Sequence, residues 1–196
     1  GGKTFAMASM ACNSHIDVVA HDIVEERLRQ IKGSLPRVGF KAEDENARFN
    51  ETIYVSEKSN CTIQIKTSLN RTCSFDAVLV DAPCSSIGVL RRRPSQRWEL
   101  TAKSIDDLVE LQLEILINAS SLVKPGGNLV YSTCSLLRSE NEDVARRFED
   151  SKLSDNFTRW NFGDKLGGLQ HAVTILPTEN GSDGFFIARW KRRQPV

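Results

Sequence analysis

Two short segments of this sequence each carry a cysteine at the end of a run of strand-forming residues. Asp-Ala-Pro-Cys-Ser-Ser at 81–86 ends the first run, and Tyr-Ser-Thr-Cys-Ser at 131–135 ends the second. A thiolate is a good nucleophile, and a nearby carboxylate such as Asp81 can hydrogen-bond a substrate. Both segments therefore predict chemistry at strand ends, where ligands bind in α/β proteins.

Cys84 and Cys134 are expected to lie close together. Neighbouring strands are about 5 Å apart, or a small multiple of that distance, so thiols at two strand ends can approach one substrate from opposite sides. Close enough together, they could also form a disulfide, which would be a hazard in a reducing cell. A single cysteine is usually present because it packs in the core like a small apolar residue. That explanation fits less well for two cysteines at corresponding strand ends.

The sequence opens with Gly-Gly-Lys-Thr at 1–4, for which three interpretations stay open. It could be the end of a phosphate-binding loop, Gly-x-x-x-x-Gly-Lys-Thr, with Asp81 as a magnesium ligand. It could be a glycine turn that lets a helix start approach a cofactor. It could also be a turn before an ordinary helix.

Asp22 ends a predicted strand about 20 residues after this turn, a spacing at which an acidic side chain commonly binds ribose hydroxyls. The same side chain could instead cap the helix that follows. Position and spacing together favour the ligand role.

Apolar periodicity predicts alternating strands and helices. The predicted strands are Ile16–His21, Thr62–Ile65, Phe75–Asp81, Asn128–Thr133, Ala172–Leu176 and Gly184–Trp190, the last as an antiparallel edge. The predicted helices are Lys3–Ala11, Val24–Ser34, Ser104–Val123 and Ser139–Glu149. This alternation is typical of an α/β fold with a doubly wound, mostly parallel sheet.

Three further details follow from the pattern. The third helix has an apolar stripe of Leu108, Leu111, Ile115, Ala119 and Leu122. In the fourth helix, Ser139 and Glu142 have the spacing of a capping box. The polar segments Lys41–Asn60 and Ser151–Gln170 are predicted to be surface excursions.

The 196-residue chain has 26 basic and 25 acidic residues, a net charge of +1 and 40% apolar residues. These values predict one soluble domain and argue against disorder, collagen and coiled coils. No window approaches the roughly 18 consecutive apolar residues of a membrane span. The five cysteines are widely spaced without a Cys-x-x-Cys pair, so we expect reduced, intracellular thiols and no metal site.

Arg91, Arg92, Arg93 and Arg97 fall within seven residues. Four positive charges so close together, with few acidic residues nearby, repel one another unless a polyanion such as a nucleic acid is bound. A solvated loop is the alternative, but we expect these arginines to contact phosphates.

Together, these motifs resemble the Sun (NSUN, RsmB-like) family of RNA cytosine-5 methyltransferases over nearly the whole chain. The resemblance rests on Asp-Ala-Pro-Cys-Ser, on Val-Tyr-Ser-Thr-Cys-Ser followed by Glu-Asn-Glu, on Gly-Gly-Lys-Thr and on Asp-Gly-Phe-Phe-Ile-Ala-Arg. The two cysteine motifs, 134 − 84 = 50 residues apart, are its most specific part. Arg-Arg-Arg-Pro before Trp98 is most similar to the ribosomal-RNA branch.

The resemblance implies a Rossmann-like class I methyltransferase fold and methyl transfer from S-adenosylmethionine to carbon 5 of a cytosine through a covalent cysteine adduct. It implies that Cys134 is the nucleophile, that Cys84 helps to release the product, and that Asp81 hydrogen-bonds the base. The implied cofactor contacts are with Gly1, Gly2, Lys3, Asp22 and Asp81.

The implied partner is RNA, either ribosomal or transfer RNA, whose target base leaves its stack. The implied phosphate contacts are with Arg91, Arg92, Arg93 and Arg97. The implied location is the cytoplasm, or the nucleolus or an organelle in a eukaryote.

The resemblance also implies that residues 1–196 are a methyltransferase catalytic domain without the family's first strand and amino-terminal RNA-recognition region. For such a fragment we expect an incomplete sheet, poor stability and weak RNA binding. Two other functions stay open on the residues alone. A phosphate-loop nucleotide hydrolase would leave the two cysteines unexplained, and an inactive methyltransferase-like RNA-binding protein would need a failed cofactor site.

Overall fold

A computed structural model describes residues 1–11, 14–70, 72, 74–98, 100–162 and 171–195 of the chain. Cys12, Cys73 and residues 163–170 of the second polar segment lie outside the described residues. The chain divides into two units, Gly1–Asn70 and Arg71–Val196. Each unit contains a sheet and a hydrophobic core of its own.

The first unit contains a four-stranded sheet in the order β1-β4-β3-β2. Its strands are β1 (Ile16–His21), β2 (Phe40–Ala42), β3 (Ile53–Ser56) and β4 (Cys61–Lys66). β1 and β4 are parallel, whereas β3 is antiparallel to both β2 and β4. The predicted strands at Ile16–His21 and Thr62–Ile65 are therefore confirmed.

The prediction that Lys41–Asn60 is only a surface excursion was wrong. This segment contributes most of β2 and all of β3. Phe40 and Tyr54 are each 5% exposed, whereas Lys41 faces solvent. A hairpin with one buried face needs apolar residues only at alternate positions, so its charged residues obscured the strands.

Two helices, α1 (Gly2–Ser9) and α2 (Glu25–Ser34), contact this sheet. Leu28, Ile31 and Leu35 are buried at steps of three and four residues. This spacing puts the three side chains on one side of α2, which explains why that side packs into the core.

The described residues of the second unit form a five-stranded sheet. Its strands are β5 (Phe75–Asp81), β6 (Val123–Thr133), β7 (Phe157–Arg159), β8 (Ala172–Ile175) and β9 (Phe185–Arg192). The order is β5-β6-β9-β7, and β8 also pairs with β9. β5 and β6 are parallel, and β9 is antiparallel to each of its partners.

β9 is antiparallel as predicted, but the prediction that it forms an edge was wrong. It pairs with β6, β7 and β8. Phe186, Ala188 and Trp190 are almost completely buried. β9 therefore lies inside the sheet and contributes to the core.

The described strands form two hydrogen-bonded sheets, and the prediction was a doubly wound sheet left incomplete by a missing first strand. Within the described ranges, β1 pairs with β4 alone and β5 pairs with β6 alone. Each of the two is thus an edge strand of its own sheet. The two parallel pairs and the alternation of strands with helices agree with the predicted α/β class.

Helix α3 (Ala102–Ser120) has its buried stripe one residue away from the predicted one. Gln112, Leu116 and Ser120 are buried, whereas Leu111 is 42% exposed. Gln112 can occupy a core position because its amide is hydrogen-bonded inside the protein. The predicted stripe is one residue away from the buried one because polar Gln112 occupies a buried position, where an apolar pattern does not place it.

Helix α4 (Glu142–Glu149) begins three residues later than predicted. Ser139 lies in the 3₁₀-helix Arg138–Glu140, and Asn141 is the N-cap without a side-chain cap hydrogen bond. The predicted capping box of Ser139 and Glu142 was therefore wrong. A capping box is present at the start of α3 instead.

The remaining helical elements are short. They are α5 (Pro177–Asn180) and the 3₁₀-helices Pro36–Val38, Ile87–Val89, Pro94–Trp98 and Lys152–Asn156. In the part of the chain that the structure describes, no helix has the length and apolar character needed to span a membrane.

Gly88 allows three backbone segments to meet closely. Its N–H donates to the Cys134 carbonyl over 2.9 Å, and its carbonyl accepts from the Gly184 N–H over 2.8 Å. A Cβ atom at this position would lie 2.3 Å from the Gly184 oxygen and 2.8 Å from the Cys134 oxygen. A side chain here would therefore force backbone to move.

We expect Gly88→Ala to lower the free energy of unfolding by about 2 kcal/mol, because the added methyl group overlaps backbone atoms. Gly33→Ala is the matched control, since nothing lies within 4 Å of a Cβ at Gly33. Alanine in helix α2 should stabilise that control by roughly 0.5–1 kcal/mol. Urea unfolding measures both variants, and an unchanged stability of Gly88→Ala would contradict the packing described.

Candidate active site

The loops after β5 and β6 bring Cys84 and Cys134 together. The two strands are parallel neighbours, with Asp81 paired to Ser132. Each loop reaches its cysteine within a few residues, and the two Sγ atoms lie 3.3 Å apart. Both thiols are free and half-buried. The predicted proximity of the two cysteines is confirmed.

The two thiols have opposite shifts in acidity. The hydrogen bond with Cys84 lowers the pKa of Cys134 to about 6, helped by Ser86 and opposed by burial and by the charge of Asp81. The hydrogen bond with Cys134 and burial raise the pKa of Cys84. At neutral pH, Cys134 is therefore a thiolate and Cys84 is the thiol that donates to it. A thiolate is the form of cysteine that attacks carbon.

Ser86 is held in an unusual backbone conformation beside the thiols. Among the described residues other than glycine, it has the only positive φ, 58°. Its Oγ lies 3.3 Å from the Sγ of Cys134. Because the left-handed region costs an L-residue roughly 1–2 kcal/mol, the surrounding contacts must hold this turn in place.

Asp81 is the exposed last residue of β5. Its charge raises the pKa of Cys134, so it lies within electrostatic range of that sulfur. An exposed carboxylate at this strand end can accept hydrogen bonds from a bound molecule. The structure thus brings together three of the predicted site residues, Asp81, Cys84 and Cys134.

Glu140 is completely buried and accepts hydrogen bonds from both cysteine loops. Ser85 donates its N–H to Oε1 over 2.8 Å and its hydroxyl to Oε2, and the Ser135 hydroxyl also donates to Oε2. Gln112 Nε2 on α3 donates to Oε1 over 3.0 Å and to the Pro83 carbonyl over 2.8 Å.

The same polar network fixes the backbone around Cys134. The Tyr131 hydroxyl donates to the Glu140 carbonyl over 2.6 Å. The Thr133 hydroxyl donates to Asn141 Oδ1 over 2.6 Å, and Asn141 Nδ2 donates to the Ser135 carbonyl over 3.0 Å. Cys134 therefore lies between residues that are anchored on both sides.

The four predicted RNA-binding arginines are exposed, but three already contact neighbouring groups. Arg91 donates to the Gly181 carbonyl over 2.8 Å, and Arg92 forms an ion pair with Asp183. The guanidinium of Arg97 lies 4.3 Å from the centre of the Trp98 ring. Arg91 and Arg92 therefore also tie this loop to the segment before β9.

The predicted cofactor residues other than Asp81 lie in the first unit: Gly1, Gly2, Lys3 and Asp22. Gly1 is the N-cap of α1, and Gly2 is its first residue. Asp22 Oδ1 accepts from the Val24 N–H over 2.8 Å, at the start of α2. The capping role that the sequence allowed for Asp22 is therefore present, while its ligand role stays a prediction.

Sequence reasoning missed several residues of this site. Gln112 offered a usable signal, since a polar residue four positions before a buried Leu116 interrupts an otherwise apolar side of the helix. Glu140 was noticed only as part of a motif. Ser86 gave no signal, because a positive φ is typical of glycine and asparagine instead of serine.

The chain is similar to known proteins along nearly its whole length. A family model described as 16S rRNA methyltransferase RsmB/F matches residues 1–191. Ribosomal RNA small subunit methyltransferase B of Photorhabdus laumondii is 36% identical, over 98% of this chain and 40% of its own length. The protein of the same name from Pasteurella multocida is 33% identical over the same shares. The chain thus spans 40% of the length of these curated relatives.

A solved structure is also similar. NSun6 from Pyrococcus horikoshii, crystallised with SFG, gives a TM-score of 0.73 at 25% identity. The match covers 100% of this chain and 46% of that one. The similarity extends across both units of the sequence and is not restricted to the cysteine motifs.

We expect iodoacetamide to alkylate Cys134 with a midpoint near pH 6, because the pKa of this thiol is lowered to about 6. Burial raises the pKa of Cys61, so Cys61 should react only at alkaline pH and serves as an internal reference. Cys84→Ala should move the Cys134 midpoint up by about one pH unit or more, since the main cause of the shift is removed. Mass spectrometry of proteolytic peptides separates the cysteines. A Cys134 midpoint at the ordinary thiol value would refute the proposed ionisation.

Proposed function

This chain belongs to the 16S rRNA methyltransferase RsmB/F family, and from that premise we propose that it methylates carbon 5 of a cytosine in RNA, with ribosomal RNA as the substrate class. Family membership also confirms the predicted Rossmann-like methyltransferase fold and the resemblance to Sun-type enzymes. The observation that carries the proposal is the pair of sulfur atoms 3.3 Å apart. Their opposite pKa shifts provide one nucleophile and one proton-bearing partner.

Cys134 performs the first step. Carbon 5 of cytosine is a poor nucleophile until the ring is made electron-rich. The Cys134 thiolate forms a bond to carbon 6, and the electron pair of the ring double bond moves to carbon 5. Carbon 5 would then form its bond to the methyl group while the bond from that methyl group to the donor's sulfonium sulfur breaks and leaves its electron pair on the donor sulfur. The ring then carries both the methyl group and the sulfur of Cys134.

Cys84 acts in product release. Its pKa is raised mainly by the hydrogen bond with Cys134, together with burial and the Cys134 charge. When Cys134 bonds to carbon 6, that charge disappears and two causes of the raised pKa are lost. Cys84 can then lose its own proton to solvent water and, as a thiolate, accept the proton of carbon 5. The electron pair of that C–H bond restores the ring double bond, and the Cys134 thiolate departs.

Asp81 holds the base in this proposal. It accepts a hydrogen bond from the amine or the protonated ring nitrogen of cytosine and so stabilises charge that develops in the adduct. Its exposure at the end of β5 and its electrostatic effect on Cys134 support this role.

S-adenosylmethionine supplies the electrophilic methyl carbon when it is bound. We assign its contacts in the first unit to Gly1, Gly2, Lys3 and Asp22. The α1 start presents exposed glycine backbone, and the Asp22 side chain is 27% exposed. Arg27 Nη1 lies 3.4 Å from Asp22 Oδ2. This contact is long, and a carboxylate oxygen accepts more than one hydrogen bond, so Oδ2 can also accept one from a ribose hydroxyl. The donor set therefore fits the cofactor.

RNA would contact the loop of Arg91, Arg92, Arg93 and Arg97. A guanidinium has five N–H donors, so Arg91 and Arg92 can keep their protein partners and also contact phosphate. The Arg92 side chain is 62% exposed even in its ion pair with Asp183. This loop follows Cys84 directly, which supports phosphate contacts close to the reacting base.

Cys84→Ala should accumulate a covalent protein–RNA adduct when the full-length protein that contains this chain is incubated with cellular RNA and S-adenosylmethionine. The reason is that Cys134 can still attack carbon 6, while the group that accepts the carbon 5 proton is gone. A denaturing gel detects the adduct, and sequencing of the trapped RNA distinguishes ribosomal from transfer RNA.

Two controls accompany this measurement. Cys134→Ala should form no adduct and lose roughly 10³-fold or more of its methyl transfer while it keeps cofactor binding. Cys61→Ala, which changes a cysteine of the first unit, should turn over normally. Methyl transfer retained by Cys134→Ala would eliminate Cys134 as the nucleophile.

S-adenosylmethionine should raise the melting temperature of the protein, because a ligand at about 100 times its Kd stabilises the folded state by roughly 2.7 kcal/mol. Asp22→Asn keeps the oxygen that caps α2 but removes the charge, so it should weaken cofactor binding about tenfold or more with little change in the unliganded protein. Asp17→Asn on β1 is the matched control. Stabilisation by magnesium and ATP alone would favour the phosphate-loop hydrolase, and stabilisation by neither would favour an inactive RNA-binding relative.

A further inference from the structure

One buried carboxylate takes no part in the proposed chemistry, although it contacts both cysteine loops. Glu140 is 0% exposed, and such a group is costly to bury unless donors surround it. Its donors are the Ser85 N–H, the Ser85 hydroxyl, the Ser135 hydroxyl and the Gln112 amide. A carboxylate is a pure acceptor, so four donors match its hydrogen-bonding capacity.

Two of these donors belong to the residues that directly follow the cysteines. Ser85 follows Cys84, and Ser135 follows Cys134. Both hydroxyls donate to the same oxygen, Oε2, and lie 3.1 Å from each other. One carboxylate group thus joins the two loops next to the reactive sulfur atoms.

Glu140 is itself held in place by α3 and β6. Gln112 donates to it over 3.0 Å and also donates to the Pro83 carbonyl, one residue before Cys84. The Tyr131 hydroxyl fixes the Glu140 carbonyl over 2.6 Å. Both anchors come from long, regular elements, so the carboxylate has a defined position from which it orders the loops.

We propose that Glu140 is a positioning residue that keeps Cys84 within hydrogen-bond distance of Cys134. The inference rests on the proposed function, in which Cys134 attacks the base and Cys84 receives a proton. Glu140 acts through the 3.3 Å spacing of the two sulfur atoms. If the spacing is lost, Cys134 loses the hydrogen bond that chiefly lowers its pKa, and it returns toward an ordinary thiol.

Glu140→Gln is a sharp test because it keeps the size of the side chain. Two donors face Oε1, and two hydroxyls face Oε2. The NH₂ group of glutamine at the Oε1 position meets two N–H donors and leaves them without an acceptor, whereas at the Oε2 position both serine hydroxyls have to reverse and accept from it. Either placement replaces the charged acceptor that joins the two loops, so their spacing should loosen.

The midpoint for alkylation of Cys134 by iodoacetamide should rise in Glu140→Gln by about one pH unit or more. The kcat for methyl transfer should fall about tenfold or more, while KM for S-adenosylmethionine stays unchanged. Glu110→Gln on α3 is the matched control, since this carboxylate is exposed and pairs with Arg147 over 2.7 Å. It should keep the midpoint and the kcat of the unchanged protein.

A double variant tests whether the effect passes through Cys84. In a Cys84→Ala background, Glu140→Gln should move the Cys134 midpoint by less than it does when Cys84 is present. An equal shift in both backgrounds would overturn the proposal, because a general loosening of the fold would act without Cys84. An unchanged midpoint in a folded Glu140→Gln protein would overturn it as well.

If circular dichroism shows that Glu140→Gln does not fold, Ser85→Ala is the variant that tests the proposal. This variant removes one hydroxyl but keeps the Ser85 N–H bond, so a smaller rise of the midpoint is expected and no rise would overturn the proposal. The alkylation profile needs neither RNA nor cofactor. Absence of methyl transfer by the unchanged protein would therefore reject the proposed function, while the midpoints would still decide on Glu140.

Discussion

Two sulfur atoms can share one proton only while their loops keep a fixed spacing, and the candidate site depends on this contact between Cys84 and Cys134. The parallel pairing of β5 with β6 supplies the coarse position, because both loops start from the paired residues Asp81 and Ser132. Strand pairing alone leaves the loops free to move by more than a hydrogen-bond length. The buried polar network next to the thiols removes that freedom.

The network also explains why so many polar side chains lie inside the second unit. Ser85, Gln112, Thr133, Ser135, Glu140 and Asn141 are each 1% exposed or less. Buried polar groups are tolerated when every donor has an acceptor, and a fully satisfied network is rigid. Ser85, Gln112 and Ser135 donate to the one carboxylate of Glu140, so rigidity is concentrated beside Cys134, where spacing controls acidity.

The strands at Ile16–His21 and Phe75–Asp81 could be predicted to the residue, because β-branched runs end sharply at polar groups. The cysteine pair was also predictable, since it needs only strand order. The β2–β3 hairpin could not be predicted, because only alternate residues are buried and the apolar residues Phe40 and Tyr54 lie in a stretch with many charged ones. The burial of Glu140 was not predictable either. The sequence around it is typical of an exposed helix start, and the donors that surround its carboxylate, such as Ser85 and Gln112, are distant in the sequence.

The position of β9 has a consequence for biosynthesis. β9 begins at Phe185, about 50 residues after Cys134 in the sequence, yet it pairs with β6 from Asn128 to Thr133. The residue before β9, Gly184, donates its N–H to the carbonyl of Gly88, which follows Cys84. A nascent chain that has emerged from the ribosome only as far as Cys134 carries both thiols but has an unpaired β6 edge. Domains fold as units during translation, so Cys134 acquires its final surroundings only after β9 has been synthesised.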